Sequence, residues 1–513
     1  MPELPLQTYQ EVAGQAVAAV LMLLVAPATQ AGPRQTSEAI AARAAEGAAA
    51  MSAGRFEDAA SIYQEVSSAR PGDAGLLLNL GMARYMGGHP ADALAPLQKA
   101  LRLQPGLAPA SLFLGATLLD LGRLTEAVPP LVRAVTAMPQ NAEARELLAR
   151  AYLERSQFTK SAQHYRVLTT LQPVNPKGWH GLARSYEGLA EQALSALQQQ
   201  SPNSPLLDLV VADIAVTQEK YAAALVIYRR VLDGTPPVGG LHEAVAELYE
   251  RAGKPEWAAA ELQKVRRRSA AECATHAAEC AFLAGKVQES LAAALQSTAP
   301  TAKYWTIRAA NRLATDAVAR LETLPSSVEL HLIRAELAQS RGRHPEAVTE
   351  IRAALALSPG SPVIETALAE ALLQAHNLDE ALPLLERLTR ESSDDVSLQI
   401  TYGEALIASQ QVDRAIPILE RAVAADGTLL AGRAALGRAY VQTARYAEAL
   451  PHLRAAAAED QDGDLHYQLA RAYQALDRPV EAKNAMAEFQ KRRQRAASRA
   501  TNSAPDAVLT PPK

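Results

Sequence analysis

Two cysteines, Cys273 and Cys280, are the residues of this chain with the most evident chemistry. They lie seven positions apart in Glu272-Cys273-Ala274-Thr275-His276-Ala277-Ala278-Glu279-Cys280. On one unbroken α-helix that spacing is about 10 Å of rise, beyond the ~7 Å Cα separation a disulfide spans. A bridge therefore needs a break, with Cys273 in the loop ahead of a helix that Thr275 caps. The alternative is a pair of free, buried thiols. Two cysteines do not make a metal site, because structural zinc takes four ligands.

The ten histidines are scattered. His164, His180, His242, His276 and His466 each fall within an expected helix, with no spacing that assembles a site. The chain has no Gly-rich phosphate cradle followed by Lys-Ser or Lys-Thr, no His-Glu-x-x-His and no Gly-x-Ser-x-Gly. Catalytic residues, cofactors and metal ligands are therefore expected to be absent.

A net charge of -4 and a pI near 6.3 argue against a dedicated nucleic-acid binder, which carries a strongly basic face. Two basic clusters, Lys264–Arg268 and Lys491–Arg495, each follow a helical segment, where cations complement the negative helix end. A phosphate-binding role is the alternative for them.

The elements that must position any site are helices. Hydrophobic residues make up 49% of the chain but aromatic ones only 4%, so the apolar content is mostly Ala and Leu, strong helix formers. β-Branched residues never form alternating runs, which excludes a large sheet.

From residue 37 the chain repeats itself. Gly47, Gly81, Gly115 and Ala149 stand 34 apart, as do Pro71, Pro105, Pro139 and Pro173, and Ala59, Ala93, Ala127 and Ser161. A 34-residue period marks a helix–turn–helix unit that buries its apolar face only by stacking on its neighbours. The step shortens to 29 between Ala183 and Ala212, so the unit from Trp179 to Pro202 lacks its inter-helix turn. The pattern blurs from Ser269 to Leu330, where Tyr304-Trp305 opens a similar unit. It recovers at Ala335, Ala369, Gly403 and Gly437, again 34 apart, followed by Ala470.

Ahead of the repeats, Val17–Ala26 is an apolar run followed by small residues as far as Gly32. It is too short for a comfortable span and suits a secretory signal, although no Lys or Arg precedes it. Export to the periplasm or cell envelope is expected if this segment is cleaved, with no membrane span in the mature chain; otherwise the chain is cytoplasmic. The residues after Ala496 are Ala-, Ser-, Thr-, Asn- and Pro-rich and are expected to be a disordered tail. The expected organisation is a signal-like segment over 1–36, an array over 37–265, irregular units over 266–330, a second array over 331–490 and a basic, then disordered, end over 491–513.

The repeats resemble the tetratricopeptide repeat family, in a bacterial style. Helix A carries a small residue with an aromatic three positions on, as in Ala183 and Tyr186, Ala246 and Tyr249, Gly437 and Tyr440, and Ala470 and Tyr473. Arg55–Tyr63 matches the turn and helix B. The resemblance covers residues 37 to 490. It implies an all-α, right-handed superhelical solenoid of antiparallel helix pairs, with about 12–14 repeats and an irregular middle.

In that family helix A lines a groove, at offsets -3, +1 and +4 from the small residue. The resemblance thus marks His180, Arg184 and Glu187; Glu243, Glu247 and Glu250; Glu370, Glu404, Arg438 and Arg471. Toward the N-terminus the same offsets are apolar: Leu78, Met82 and Tyr85, then Leu112, Ala116 and Leu119. Exposed apolar surface of that kind would meet a partner. The family's carboxylate clamp is not reproduced, since Asn79 stands alone, and the Asn ladder of sugar-transferring relatives is absent. The expected function is a non-enzymatic scaffold binding a protein or peptide partner that the sequence does not identify. The alternative is a structural assembly factor or accessory subunit of an envelope complex that uses the convex surface.

Overall fold

The computed structural model describes residues 34–234, 239–266, 268–501 and 509–512. The apolar run at 17–26 and its expected cleavage site lie outside the described residues. Among the described residues, 27 α-helices and one 3-10 turn follow one another with no strand, so the chain is an all-α repeat solenoid.

A regular repeat pairs a 13-residue helix A with a 14-residue helix B, as in Ala74–Met86 with Pro90–Leu103 and Val396–Ala408 with Val412–Ala425. Short polar side chains start several A helices. Asp73 accepts from the N–H groups of Gly75 and Leu76 at 2.9 and 3.1 Å, and Asn141 accepts from Ala144 at 2.8 Å. Each such contact satisfies an N–H that the first helical turn leaves unpaired.

The turn from helix A to helix B passes through one left-handed residue. Gly54, Gly88 and Gly122 hold that place at φ 71°, 84° and 67°, and one repeat on it falls to Ser156 at 55°. Gly342, His376, Gln410 and Ala444 continue it in the later repeats. Glycine takes this conformation freely and other residues do so at a cost, so helix packing, not the local residue, sets the turn.

The two shortened units are single helices. Pro176–Gln200 runs for 25 residues and Pro300–Glu322 for 23, straight through the place where the turn would stand. Close contacts divide the described chain into two compact units. One comprises the residues up to Leu197 together with Lys286–Leu330; the other comprises Gln198–Gly285 and everything from His331. The array read as 37–265 is therefore shared between them, as is the irregular stretch 266–330. In the first unit, Gln288 donates to Tyr186 Oη at 2.8 Å and accepts from Arg166 at 2.9 Å. In the second, Glu219 pairs with Arg341 at 3.2 Å and Arg343 at 3.1 Å.

Cys273 and Cys280 are bridged, with Cα atoms 5.7 Å apart. The break lies elsewhere than the spacing argument put it. Cys273 is inside the short helix Ala270–Thr275, and Cys280 is inside Ala277–Leu283. The chain bends at His276, which caps the second helix in place of Thr275. Ser269 starts the first helix through a capping box with Glu272, and Thr275 turns its hydroxyl back onto the Glu272 carbonyl.

The basic clusters are held in local contacts. Lys264 pairs with Glu261 at 2.9 Å, Arg266 with Glu272 at 3.1 Å and Arg268 with Glu279 at 2.5 Å. Lys491 pairs with Glu488 at 3.1 Å, while Arg492 donates to the Asp460 carbonyl. The final helix, Pro479–Thr501, continues past Ala496, where a disordered tail was expected. Ala496, Ala497, Arg499 and Ala500 are good helix formers, and extending an existing helix needs no new nucleus.

Candidate functional site

The apolar groove expected near the N-terminus is not a surface. Leu78, Met82 and Tyr85 are 0%, 3% and 6% exposed, and Leu112, Ala116 and Leu119 are equally buried. They belong to one continuous core with Leu97, Leu131 and Leu147. Adjacent A helices stack closely enough to close over these offsets, so in these first repeats the family register marks core rather than groove. What remains polar there is a paired chain of groups. Tyr85 Oη donates to Asp120 Oδ2 at 2.7 Å, Arg150 donates to Asp120 Oδ1 at 3.2 Å, and Arg150 also faces Glu154 at 3.4 Å.

Further along the same unit the marked residues are half-buried, and two of them are paired with each other. Arg184 donates to Glu187 at 2.9 Å. Desolvation, with the Arg184 guanidinium adding to it, pushes His180 down to about 4, so its ring is neutral at physiological pH. Beside them lies a cluster the sequence reading did not mark. Lys177 Nζ is 3.7 Å from Glu146, and Glu143 and Glu329 share the same surroundings. Glu329 is 5% exposed. Burial raises both Glu143 and Glu329 above the usual carboxylate range; Glu146 adds repulsion and Lys177 offsets part of it.

Carboxyls raised in the folded state bind protons that the unfolded chain releases. Their contribution to stability is therefore full below the ordinary carboxylate pKa and is lost as pH rises through the folded one. Glu329→Gln is expected to raise the melting temperature by about 2–4 °C at pH 7 and to change it little at pH 4. Equal shifts at both pH values in calorimetry would mean that the carboxylate charge is not the cause.

In the second unit the marked positions stay on the surface. Glu250 is exposed, and Glu243 and Glu247 partly so, with Glu247 accepting from Arg251 at 2.8 Å. The expected passage from acidic to basic is a contact. Glu404 and Arg438, at the same offset of neighbouring A helices, form an ion pair at 2.6 Å. Glu370 precedes this pair and Arg471 follows it, both exposed.

A third group was missed entirely. Arg229, at the end of Tyr221–Leu232, and Tyr249, on Leu241–Arg251, converge on residues 509–512. Tyr249 stands at the family's aromatic position in helix A, but no local pattern marks Arg229 or its distant partner.

Among the described residues no three His, Cys, Asp or Glu side chains are placed to hold a metal ion. No helix of the described residues is long and apolar enough to cross a membrane.

Family models described as "Tetratricopeptide repeat" match residues 44–108, 110–176 and 307–362 in one form and 338–401 and 372–439 in another. Together these spans take in just over half of the chain. No curated protein sequence matches it. Among solved structures it is similar to "Crystal structure of MamA protein", at 25% identity and a TM-score of 0.28 over 30% of this chain and 83% of that one. It is also similar to MamA from Desulfovibrio magneticus, at 26% identity and 0.28 over 28% and 82%. A third is a thermophilic TPR protein in Thermus thermophilus, at 20% identity and 0.31 over 58% and 99%.

Proposed function

The chain belongs to the tetratricopeptide repeat family, and from that premise we propose that it is a non-enzymatic scaffold holding a peptide or protein segment along the A helices of residues 362–475. Tetratricopeptide repeats serve protein–protein interaction, and their fold is generally non-catalytic. The observation that carries the finer reading is the row Glu370, Glu404, Arg438 and Arg471. These residues occupy one offset on successive A helices and remain accessible, whereas the corresponding residues of the first repeats are buried. Such a row offers both signs of charge to a polar segment.

The Glu404–Arg438 pair is partly exposed, so it adds only about 0–1 kcal/mol to the fold. Exchanging the two residues, Glu404→Arg with Arg438→Glu, keeps their pairing but inverts what a partner meets. The partner recovered with the wild-type chain by affinity purification from the native organism is expected to fall at least tenfold with the exchanged chain. Undiminished recovery would remove the row from the binding surface. Turnover of a substrate by the purified chain alone would overturn the non-enzymatic reading. We place the protein outside the reducing cytoplasm, in the periplasm or envelope, a reading supported by the Cys273–Cys280 bridge.

A further inference from the structure

We propose that Arg229 and Tyr249 form a site for an extended, proline-containing strand, and that residues 509–512 of the same chain occupy it. This deepens the scaffold reading by naming a second binding site, the chemistry it reads and its resident ligand.

Leu509-Thr510-Pro511-Pro512 has no helical or strand pairing of its own. Its hydrogen bonds go to two side chains more than 250 positions away. Arg229 donates Nη1 to Thr510 Oγ1 at 2.5 Å, and Nη2 to the carbonyls of Thr510 at 3.2 Å and Pro511 at 2.7 Å. Tyr249 Oη donates to the same Thr510 carbonyl at 2.8 Å. Arg229 Nη2 also reaches Tyr249 Oη at 3.2 Å, which orients the phenol as a donor toward the strand. Tyr249 is fully buried under these contacts, and burial raises its phenol, keeping it protonated.

The chemistry of the two sides matches. Guanidinium offers only donors and the phenol offers its one proton. Proline has no N–H, so beyond Thr510 the strand presents carbonyls with no further backbone donor. Proline also pre-sets φ near the extended polyproline value, which lowers the ordering entropy of docking. The selectivity follows: an extended strand with Thr followed by Pro-Pro fits, and a helical segment, whose carbonyls are already bonded, does not. A strand from a partner would have to displace residues 509–512, so the resident segment sets a threshold for entry.

The test uses a fluorescein-labelled peptide of residues 503–513 and its anisotropy on five proteins: the full chain, the chain ending at Thr501, the shortened chain with Arg229→Gln or with Tyr249→Phe, and the full chain with Thr510→Ala and Pro511→Gly. The shortened chain is expected to bind the peptide at least tenfold more tightly than the full chain, where the segment in cis competes. Arg229→Gln is expected to remove at least tenfold of that binding, and Tyr249→Phe a smaller part. A full-length Thr510→Ala, Pro511→Gly chain keeps the length and must gain peptide affinity as the shortened one does. Equal binding by full and shortened chains, no binding by either, or indifference to Arg229→Gln overturns the proposal. So does cross-linking of residue 509 to the Arg229 helix only between isotopically distinct copies. Failure here with the Glu404–Arg438 exchange still abolishing partner capture removes this site alone and leaves the scaffold reading standing.

Discussion

Replacing Gly115 by Val is expected to destabilise the first unit by about 3 kcal/mol, at the upper end of core overpacking. A Cβ at Gly115 would stand 2.4 Å from Leu131 Cγ and 2.5 Å from its Cδ2, inside any real carbon–carbon contact. Leu131 has nowhere to go, being 0% exposed within a continuous core. The same clash recurs at 2.4 Å for Gly81 on Leu97, 2.5 Å for Gly403 on Leu419 and 2.7 Å for Gly437 on Leu453. In these four repeats the glycine lets helix A approach the leucine of its own helix B, and the contact recurs at the same place in each of them. Gly106 meets nothing within 4 Å, so Gly106→Ala is the control and should leave the denaturation midpoint nearly unchanged. Gly115→Ala combined with Leu131→Ala should lose clearly less than the sum of the two single changes, because the second makes room for the first. Strict additivity in that cycle, or a Gly115→Val midpoint close to that of Gly106→Ala, would show that the close approach does not hold the pair together.

Reducing the Cys273–Cys280 bridge is expected to unfold Ala270–Leu283 while the rest of both units stays folded. The two helices there are six and seven residues long, far below the length at which an isolated helix is stable in water. Of their side chains only Glu279 is buried, held by Arg268 through two bonds at 2.5 and 3.0 Å. Packing therefore contributes little, and the cross-link contributes most. Closing a loop of this size restricts the unfolded segment by about 2.5 kcal/mol in the chain-entropy account. Hydrogen exchange of residues 270–283 should accelerate on the order of fiftyfold in Cys273→Ser, Cys280→Ser chains. Amides of Ala108–Asp120 and Val396–Ala408 should not change. Protection that survives in the double variant would transfer the segment's stability to the Arg268–Glu279 pair. Alkylation of the protein in intact cells before lysis tests the compartment as well, since free thiols at both positions would return the chain to a reducing one.

Much of this was open to reading from the one-dimensional pattern, and the reasons are local. Ala and Leu at high frequency dictate helices, and short polar residues such as Asp73 and Asn141 mark where they start. Gly81, Gly115, Gly403 and Gly437, with Ala149, Ala335 and Ala369 in the same register, declare the repeat because the close approach of helix A to helix B admits only a small residue there, and the loss of a turn at Trp179 showed as a shortened step. The cysteine spacing required a break, since helix rise and disulfide reach are both known lengths. Where the break falls was not given: a bend at His276 between two short helices satisfies the geometry as well as a loop before Thr275 would.

The exposure of the marked positions was beyond the pattern. Met82 and Arg438 occupy the same place in their repeats, yet one is core and the other partly exposed. Exposure depends on how closely the neighbouring A helix lies and on what side chain it sends back, as Glu404 does to Arg438. The carboxylates around Lys177 gather from Glu143, Glu146 and Glu329, and Thr510 reaches Arg229 across 281 positions. No period or propensity links such residues. The sequence by itself determined the helical class, the period of the helix pairs and the places where that pairing fails, because each of these depends on contacts between near neighbours in the chain. Which charges are paired, which apolar positions are closed over and which segment lies against Arg229 and Tyr249 were decided only by the tertiary structure, because burial and electrostatics depend on distance in space, which the repeat period does not encode.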